Sequence, residues 1–269
     1  MKWRLRNGKE VINKPITIYF FPNKPNLPWV INSEPNNQNP WASALDMLLN
    51  WGVRGFSDTT AISTKITEYV FNNNRFKYDI NKGATKLNDE YGIFKCTDFI
   101  ENVNGTGDII VNCTDCATIV STFSNLLGAN LYQVKFGGGN GFYCNKVKII
   151  GYDSIWQYPF PNGKDFYDTT ATSGGFGYHE VAFNGNYSYE DKIYDACLKV
   201  NSYALNPMRS ASERLPLNLQ FALYDPYTSQ ISGDDIDRIK YREMLLLNDK
   251  NNLNNGAIIN NSARRRKFK

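Results

Sequence analysis

The stretch Asn112-Cys113-Thr114-Asp115-Cys116-Ala117-Thr118-Ile119-Val120-Ser121-Thr122-Phe123-Ser124-Asn125-Leu126-Leu127-Gly128 decides how this chain is read. The apolar run Ile109-Ile110-Val111 feeds into it and has the character of a strand. Beyond it, Ala117, Val120, Phe123 or Ser124, and Leu127 recur at helical spacing, and Gly128 stands where a helix would stop. The spacing therefore predicts a helix that opens at Cys113. A thiol at a helix mouth meets unpaired backbone N–H groups and the positive end of the macrodipole, which favour a thiolate.

The bulk composition sets the frame around that segment. A chain of 269 residues, 42% hydrophobic and 14% aromatic, has enough apolar material for one large globular domain. Thirty basic against 26 acidic residues leave a net charge of only +4, too mild and too mixed to imply nucleic-acid binding. The one dense basic run is Arg264-Arg265-Arg266-Lys267-Phe268-Lys269, read as a solvated tail. No apolar run approaches the ~20 residues of a membrane helix. The basic start, Met1-Lys2-Trp3-Arg4-Leu5-Arg6, is followed by no apolar signal core. Five cysteines, an odd count in a chain of this size, favour free thiols in a reducing compartment. The expected location is the cytoplasm, with export by a dedicated system as the alternative.

Upstream of the central segment, Ile16–Phe21 reads as a strand ended by Pro22, and prolines 22, 25, 28, 35 and 40 punctuate an Asn-rich lead-in over residues 1–40. Asn39-Pro40 reads as the N-cap and first residue of a helix running from Trp41 to Trp51 and stopping at Gly52. A second helix is expected from about Thr60 to Phe71, and an extended piece over Phe76–Ile80. Weaker helical pieces are expected around Ala84–Tyr91 and Thr97–Val103.

Downstream, the period switches from helical to two. Strands are predicted at Leu131–Phe136, Phe142–Ile150, Tyr178–Phe183, Lys192–Val200 and Leu217–Tyr224. Asn184-Gly185-Asn186 reads as a hairpin turn. Residues 151–177 are turn-rich and aromatic, an excursion that either lines a cleft or packs as a surface loop. A helix is expected from Gly233 to about Leu247, and residues 248–269 read as a flexible basic tail. The fold class is α+β, helices packed on an antiparallel sheet.

Nucleophilic cysteine chemistry needs a thiolate, a base to take and return its proton, and a group to orient that base. The chain holds one histidine, His179, inside a predicted strand, and Asp195 lies sixteen residues later on the next strand. A hairpin of that length brings the two side by side. Other readings of Cys113-x-x-Cys116 stay open on residues alone. A zinc site needs two further ligands, with Cys96, Cys144, Cys197 and His179 as candidates, none in a second close pair. A redox pair suits a thioredoxin-like unit, which this order of elements does not match. The acidic Asp234-Asp235-x-Asp237 reads as helix-start charge rather than a calcium site.

Cys113-x-Asp115-x-Ala117-x-Ile119, closed by Leu126-Leu127-Gly128, resembles the Cys-x-Asp-x-Ala signature of bacterial transglutaminase-like proteins. His179-Glu180-Val181 and Tyr194-Asp195 follow in that family's order. The resemblance covers roughly residues 75–200. It implies a papain-like core across residues 41–247, with catalytic Cys113, His179 and Asp195 and no metal or cofactor. It assigns the nucleophile to Cys113 and makes Cys116 a small core residue. The implied reaction is acyl transfer on a protein or peptide substrate through a thioester, ending in hydrolysis as a protease or deamidase, or in transamidation. The Cys113 backbone N–H supplies one oxyanion donor, and Tyr91, Trp41 and Tyr78 are candidates for the second. Asp115 is expected to cap the helix or tie down a nearby loop. The rival readings are a non-catalytic binding module that keeps the fold, and an effector delivered by a secretion machine.

Overall fold

The computed structural model describes residues 17–29, 40–136, 147–152, 159–160, 164–165, 178–184, 192–200, 222–224 and 264–269. The architecture is mixed α+β. In chain order the elements are α1 (Ala42–Asn50), α2 (Thr59–Asn72), β1 (Phe76–Tyr78), α3 (Cys96–Asn104), β2 (Ile109–Val111), α4 (Cys113–Leu126), β3 (Tyr132–Phe136), β4 (Val147–Ile149), β5 (Pro159–Phe160), β6 (Lys164–Asp165), β7 (His179–Phe183), β8 (Lys192–Tyr194), β9 (Leu198–Val200) and β10 (Ala222–Tyr224). A four-stranded antiparallel sheet has the order β10-β8-β7-β3. β1 and β2 form a short parallel pair, and β4 pairs with β9 and β5 with β6 as separate antiparallel pairs. No helix among the described residues is long and apolar enough to cross a membrane.

α4 is the axis of the molecule. All fourteen of its residues are buried. β7 packs along one side of it and α2 along another. A helix enclosed all round would ordinarily be apolar all round, yet α4 carries Thr114, Thr118, Ser121 and Asn125 at helical spacing on one face. Each hydroxyl or amide there is satisfied. Thr118 and Ser121 donate back to the Thr114 and Ala117 carbonyls. Gln133 donates to Ser121 Oγ at 2.7 Å. The Asn125 side chain bridges to the Leu27 and Leu131 carbonyls and accepts from the Leu131 N–H. The opposite side of α4 meets an aromatic core in which Phe123 touches Trp29, Trp51, Phe94 and Phe99.

Both ends of α4 follow from local sequence. Asn112 and Asp115 form a capping box: Asn112 Oδ1 accepts from the Asp115 N–H at 3.0 Å, and Asp115 Oδ2 accepts from the Asn112 N–H at 3.2 Å. At the other end Gly128 has φ +90°, and a Cβ there would fall 2.5–2.8 Å from Asn23 atoms. Only glycine satisfies both conditions, the left-handed stop and the close approach of the lead-in chain.

Several expectations are corrected. Residues 17–21 form no strand, because no segment among the described residues pairs with them; their alternation is real, with Tyr19 and Phe21 against the core and Ile18 and Phe20 in solvent. The cap of α1 is Trp41, with Asn39 outside the described residues. Residues 84–91 are not helical. The Lys86 and Leu87 N–H groups donate to Asp115 instead of to carbonyls one helical turn back. The predicted strand Lys192–Val200 breaks into β8 and β9, which join different sheets. Asp195 causes the break: its Oδ1 accepts from the Cys197 and Leu198 N–H groups at 2.8 and 3.1 Å, an Asx-type turn that ends β8.

The largest correction is at the C-terminal end. Arg264–Lys269 is not a solvated tail. Arg264 pairs with Gln133 on the outer edge of β3, and on either side of Phe268 the Phe94 N–H donates to the Lys267 carbonyl while the Phe94 carbonyl accepts from the Lys269 N–H. Phe268 is 4% exposed and sits among Trp29, Trp41 and Phe94. The basic run is amphipathic in practice: Phe268 gives it an apolar anchor, and buried acceptors receive Arg266. The expected helix 233–247, the hairpin turn at 185–186, Cys144, residues 248–263 and most of the 151–177 excursion lie outside the described residues; the pair β5–β6 belongs to that excursion.

Candidate active site

Three elements converge on Cys113. The parallel pair β1–β2 ends beside it, with Tyr78 opposite Val111 two residues before the thiol. Cys113 is the first residue of α4 and is 3% exposed. β7 begins at His179, and Tyr178 just before it places its carbonyl oxygen 3.9 Å from Cys113 Sγ. Asp195 follows β8, which lies next to β7 in the sheet.

His179 Nε2 and Asp195 Oδ2 are 2.8 Å apart, and both side chains are buried. The Asx turn holds the other carboxylate oxygen, so Asp195 presents a fixed acceptor to the imidazole. Burial alone would lower the pKa of His179. The Asp195 carboxylate reverses this by charge and hydrogen bond, and the Cys113 thiol adds a hydrogen bond and its own charge, so the pKa rises from 6.5 to about 10. The raised pKa favours the imidazolium near neutral pH, beside the thiol of the first residue of α4. The structure thus gathers Cys113 and Asp195 about the His179 imidazole.

The Cys113 and Thr114 backbone N–H groups donate no hydrogen bond among the described residues. They are the donors that a helix N-terminus offers to an anion. Of the three side-chain candidates for a second oxyanion donor, Tyr91 is 81% exposed and Trp41 packs edge-on against Trp29 and Phe268. Tyr78 is buried, and its pKa is pushed well up by burial and then by the charges of Cys113, Cys197, Cys116 and Tyr178. Its hydroxyl lies beside Gly83, whose carbonyl accepts from the Asn112 side chain.

Asp115 does both things expected of it. It closes the capping box, and its carboxylate gathers the Lys86 and Leu87 N–H groups and the Asn88 side chain at 2.9, 3.0 and 3.1 Å. Cys116 lies one turn into α4, wholly buried, and burial pushes its pKa up. Cys96 is buried elsewhere in the core, and burial pushes its pKa up as well. Among the described residues no three His, Cys, Asp or Glu side chains are placed to hold a metal ion.

Sequence reasoning missed Glu180 and Arg266. Glu180 is 1% exposed and accepts from Thr114 Oγ1 at 2.7 Å. Arg266 meets it through a two-pronged contact, with nitrogen–oxygen distances of 2.8 and 3.1 Å. The available signal was an acidic residue inside an apolar strand, which demands a buried counter-charge. The arginine run was the only dense supply of one.

Comparison of the chain with protein-family models, with curated proteins and with solved structures gives no match.

Proposed function

We propose that the chain is a papain-like cysteine enzyme of the transglutaminase-like kind, acting by acyl transfer on peptide or glutamine carboxamide groups. The observation that carries this reading is the buried His179–Asp195 hydrogen bond at 2.8 Å, with the Cys113 thiol, on the first residue of a helix, helping to raise the pKa of the same imidazole. Cys113 as thiolate attacks the carbonyl carbon. The Cys113 backbone N–H and the Tyr78 hydroxyl hold the resulting oxyanion. His179 gives its proton to the leaving amine or ammonia as the tetrahedral adduct collapses to a thioester. It then takes a proton from water, which adds to the thioester, and the carboxylic acid leaves Cys113. Water is the acceptor that needs no second site, so hydrolysis is favoured over crosslinking.

The test is acylation by an activated ester, followed by intact mass. The reading predicts a single acyl adduct on Cys113, lost in Cys113→Ala and slowed about a thousandfold or more in His179→Ala. An adduct spread over several residues, or none, contradicts it.

A further inference from the structure

Cys113 and His179 belong to different elements, α4 and β7, and their separation depends on how those two sit against each other. Apolar packing resists separation but is non-directional. A direct polar tie between α4 and β7 runs through the residues next to the pair. Thr114 Oγ1, beside Cys113, donates to Glu180 Oε2, beside His179, at 2.7 Å.

Glu180 cannot hold that bond as an isolated buried charge. Its counter-charge comes from the C-terminal segment. Arg266, itself 7% exposed, grips both carboxylate oxygens. It also donates to Thr118 Oγ1 at 3.0 Å, one turn along α4, and to Gln133 Oε1 on β3. One guanidinium therefore touches α4, β3 and β7 together. Arg264 adds a second, more exposed contact to Glu180 at 3.2 Å, and Lys135 stands 4.0 Å away with its ammonium over the Tyr178 ring. Tyr178 in turn shares a 3.0 Å hydrogen bond with Thr114.

We infer that Arg266 is a positioning residue for Cys113 and His179: docking of the C-terminal segment fixes the Thr114–Glu180 tie and through it the approach of thiol to imidazole. The inference rests on Cys113 being the nucleophile. It adds that the site is completed by a segment about 150 residues downstream in the chain. A side chain held only by apolar packing would not need a bidentate grip that spans three elements. The planar fork of arginine meets that geometry and the point charge of lysine does not.

The experiment is alkylation of Cys113 by iodoacetamide across pH in the full chain, with the modified residue located by mass spectrometry and folding checked by near-UV circular dichroism. Arg266→Met is compared with Thr114→Val, which leaves the ion pair intact and removes the Thr114 hydroxyl with its bonds to Glu180 and Tyr178. Arg265→Met is the control; that guanidinium lies over Tyr132 and bonds the Leu131 carbonyl, away from Glu180. The expected result is a fall of about tenfold or more at neutral pH in Arg266→Met, a fall of about threefold or more in Thr114→Val, and a displaced pH profile in both. Arg265→Met keeps the wild-type profile. Arg266→Lys recovers only part of the rate. Folded Arg266→Met and Thr114→Val proteins with profiles superimposable on wild type overturn the inference while leaving the nucleophile in place. If Arg266→Met does not fold, Thr114→Val decides alone. Wild-type Cys113 labelled no faster than Cys116 overturns the nucleophile reading itself, and the positioning inference falls with it.

Discussion

Two buried carboxylates lie next to Cys113 and His179, and they are held in opposite ways. Asp115, 0% exposed, is surrounded by neutral donors: three backbone N–H groups and one side-chain amide. Glu180, 1% exposed, is surrounded by a guanidinium fork, a second arginine and a hydroxyl. Burial raises the pKa of Asp115 from 3.8 to about 6, and the four hydrogen bonds only moderate that rise. Burial also acts to raise the pKa of Glu180, but Arg266, Arg264 and Thr114 outweigh it and the pKa falls. In a desolvated site, dipoles orient a carboxylate, whereas a full opposite charge decides its ionisation. The distinction also follows chain distance. Asp115 is served by neighbours within thirty residues, and Glu180 by a segment from the far end of the chain.

The contrast is sharpest when one partner is removed. Arg266→Met leaves Glu180 buried without its main counter-charge, and chemical denaturation should show a loss of roughly 3–5 kcal/mol. A loss below about 1 kcal/mol would show that Arg264 and Lys135 suffice. Asp115→Asn turns an acceptor oxygen into a donor facing backbone N–H groups, and should cost roughly 1–3 kcal/mol, with the 84–91 loop the first region to gain hydrogen exchange.

The pH dependences should run in opposite directions. The raised pKa of Asp115 means that its contribution is complete below the unfolded value near 3.8 and is lost as pH rises through about 6. The stability gap between wild type and Asp115→Asn should therefore narrow between pH 4 and 7. The depressed pKa of Glu180 means that its contribution is present above the ordinary glutamate range and is lost as pH falls through the lower folded value. The gap between wild type and Glu180→Gln should widen as pH rises from the lowered folded value to the ordinary glutamate value of 4.5, and stay level above it while the Asp115 gap narrows. Gaps that move together would break the comparison.

The same contrast explains what could be read from the chain. α4, its capping box and its glycine stop were legible because their partners lie within a few residues. The pairing of His179 with Asp195 was legible because the spacing of the two predicted strands brings them side by side. The break after β8 was hidden in an apolar period that continues through Cys197 and Leu198; only the Asx turn at Asp195 interrupts it. Residues 84–91 have helical spacing, but Asp115 captures their N–H groups from 29 residues away. The polar face of α4 was visible as Thr114, Thr118, Ser121 and Asn125, but its satisfaction depends on Glu180, Gln133 and Arg266, which no local pattern connects. The last six residues were misread because net charge says nothing about where a buried carboxylate waits for it.

The central claim, that Cys113, His179 and Asp195 form one coupled unit, has a direct probe because His179 is the chain's single histidine. Its ring resonances can be followed by nuclear magnetic resonance without assignment ambiguity. The account predicts that the imidazole stays protonated through neutral pH and titrates near 10, and that the stability it contributes is complete below its ordinary value of 6.5 and disappears as pH rises through about 10. Cys113→Ala and Asp195→Asn should each bring that titration down. A ring that titrates near 6.5 in the wild-type protein and ignores both substitutions would contradict the account.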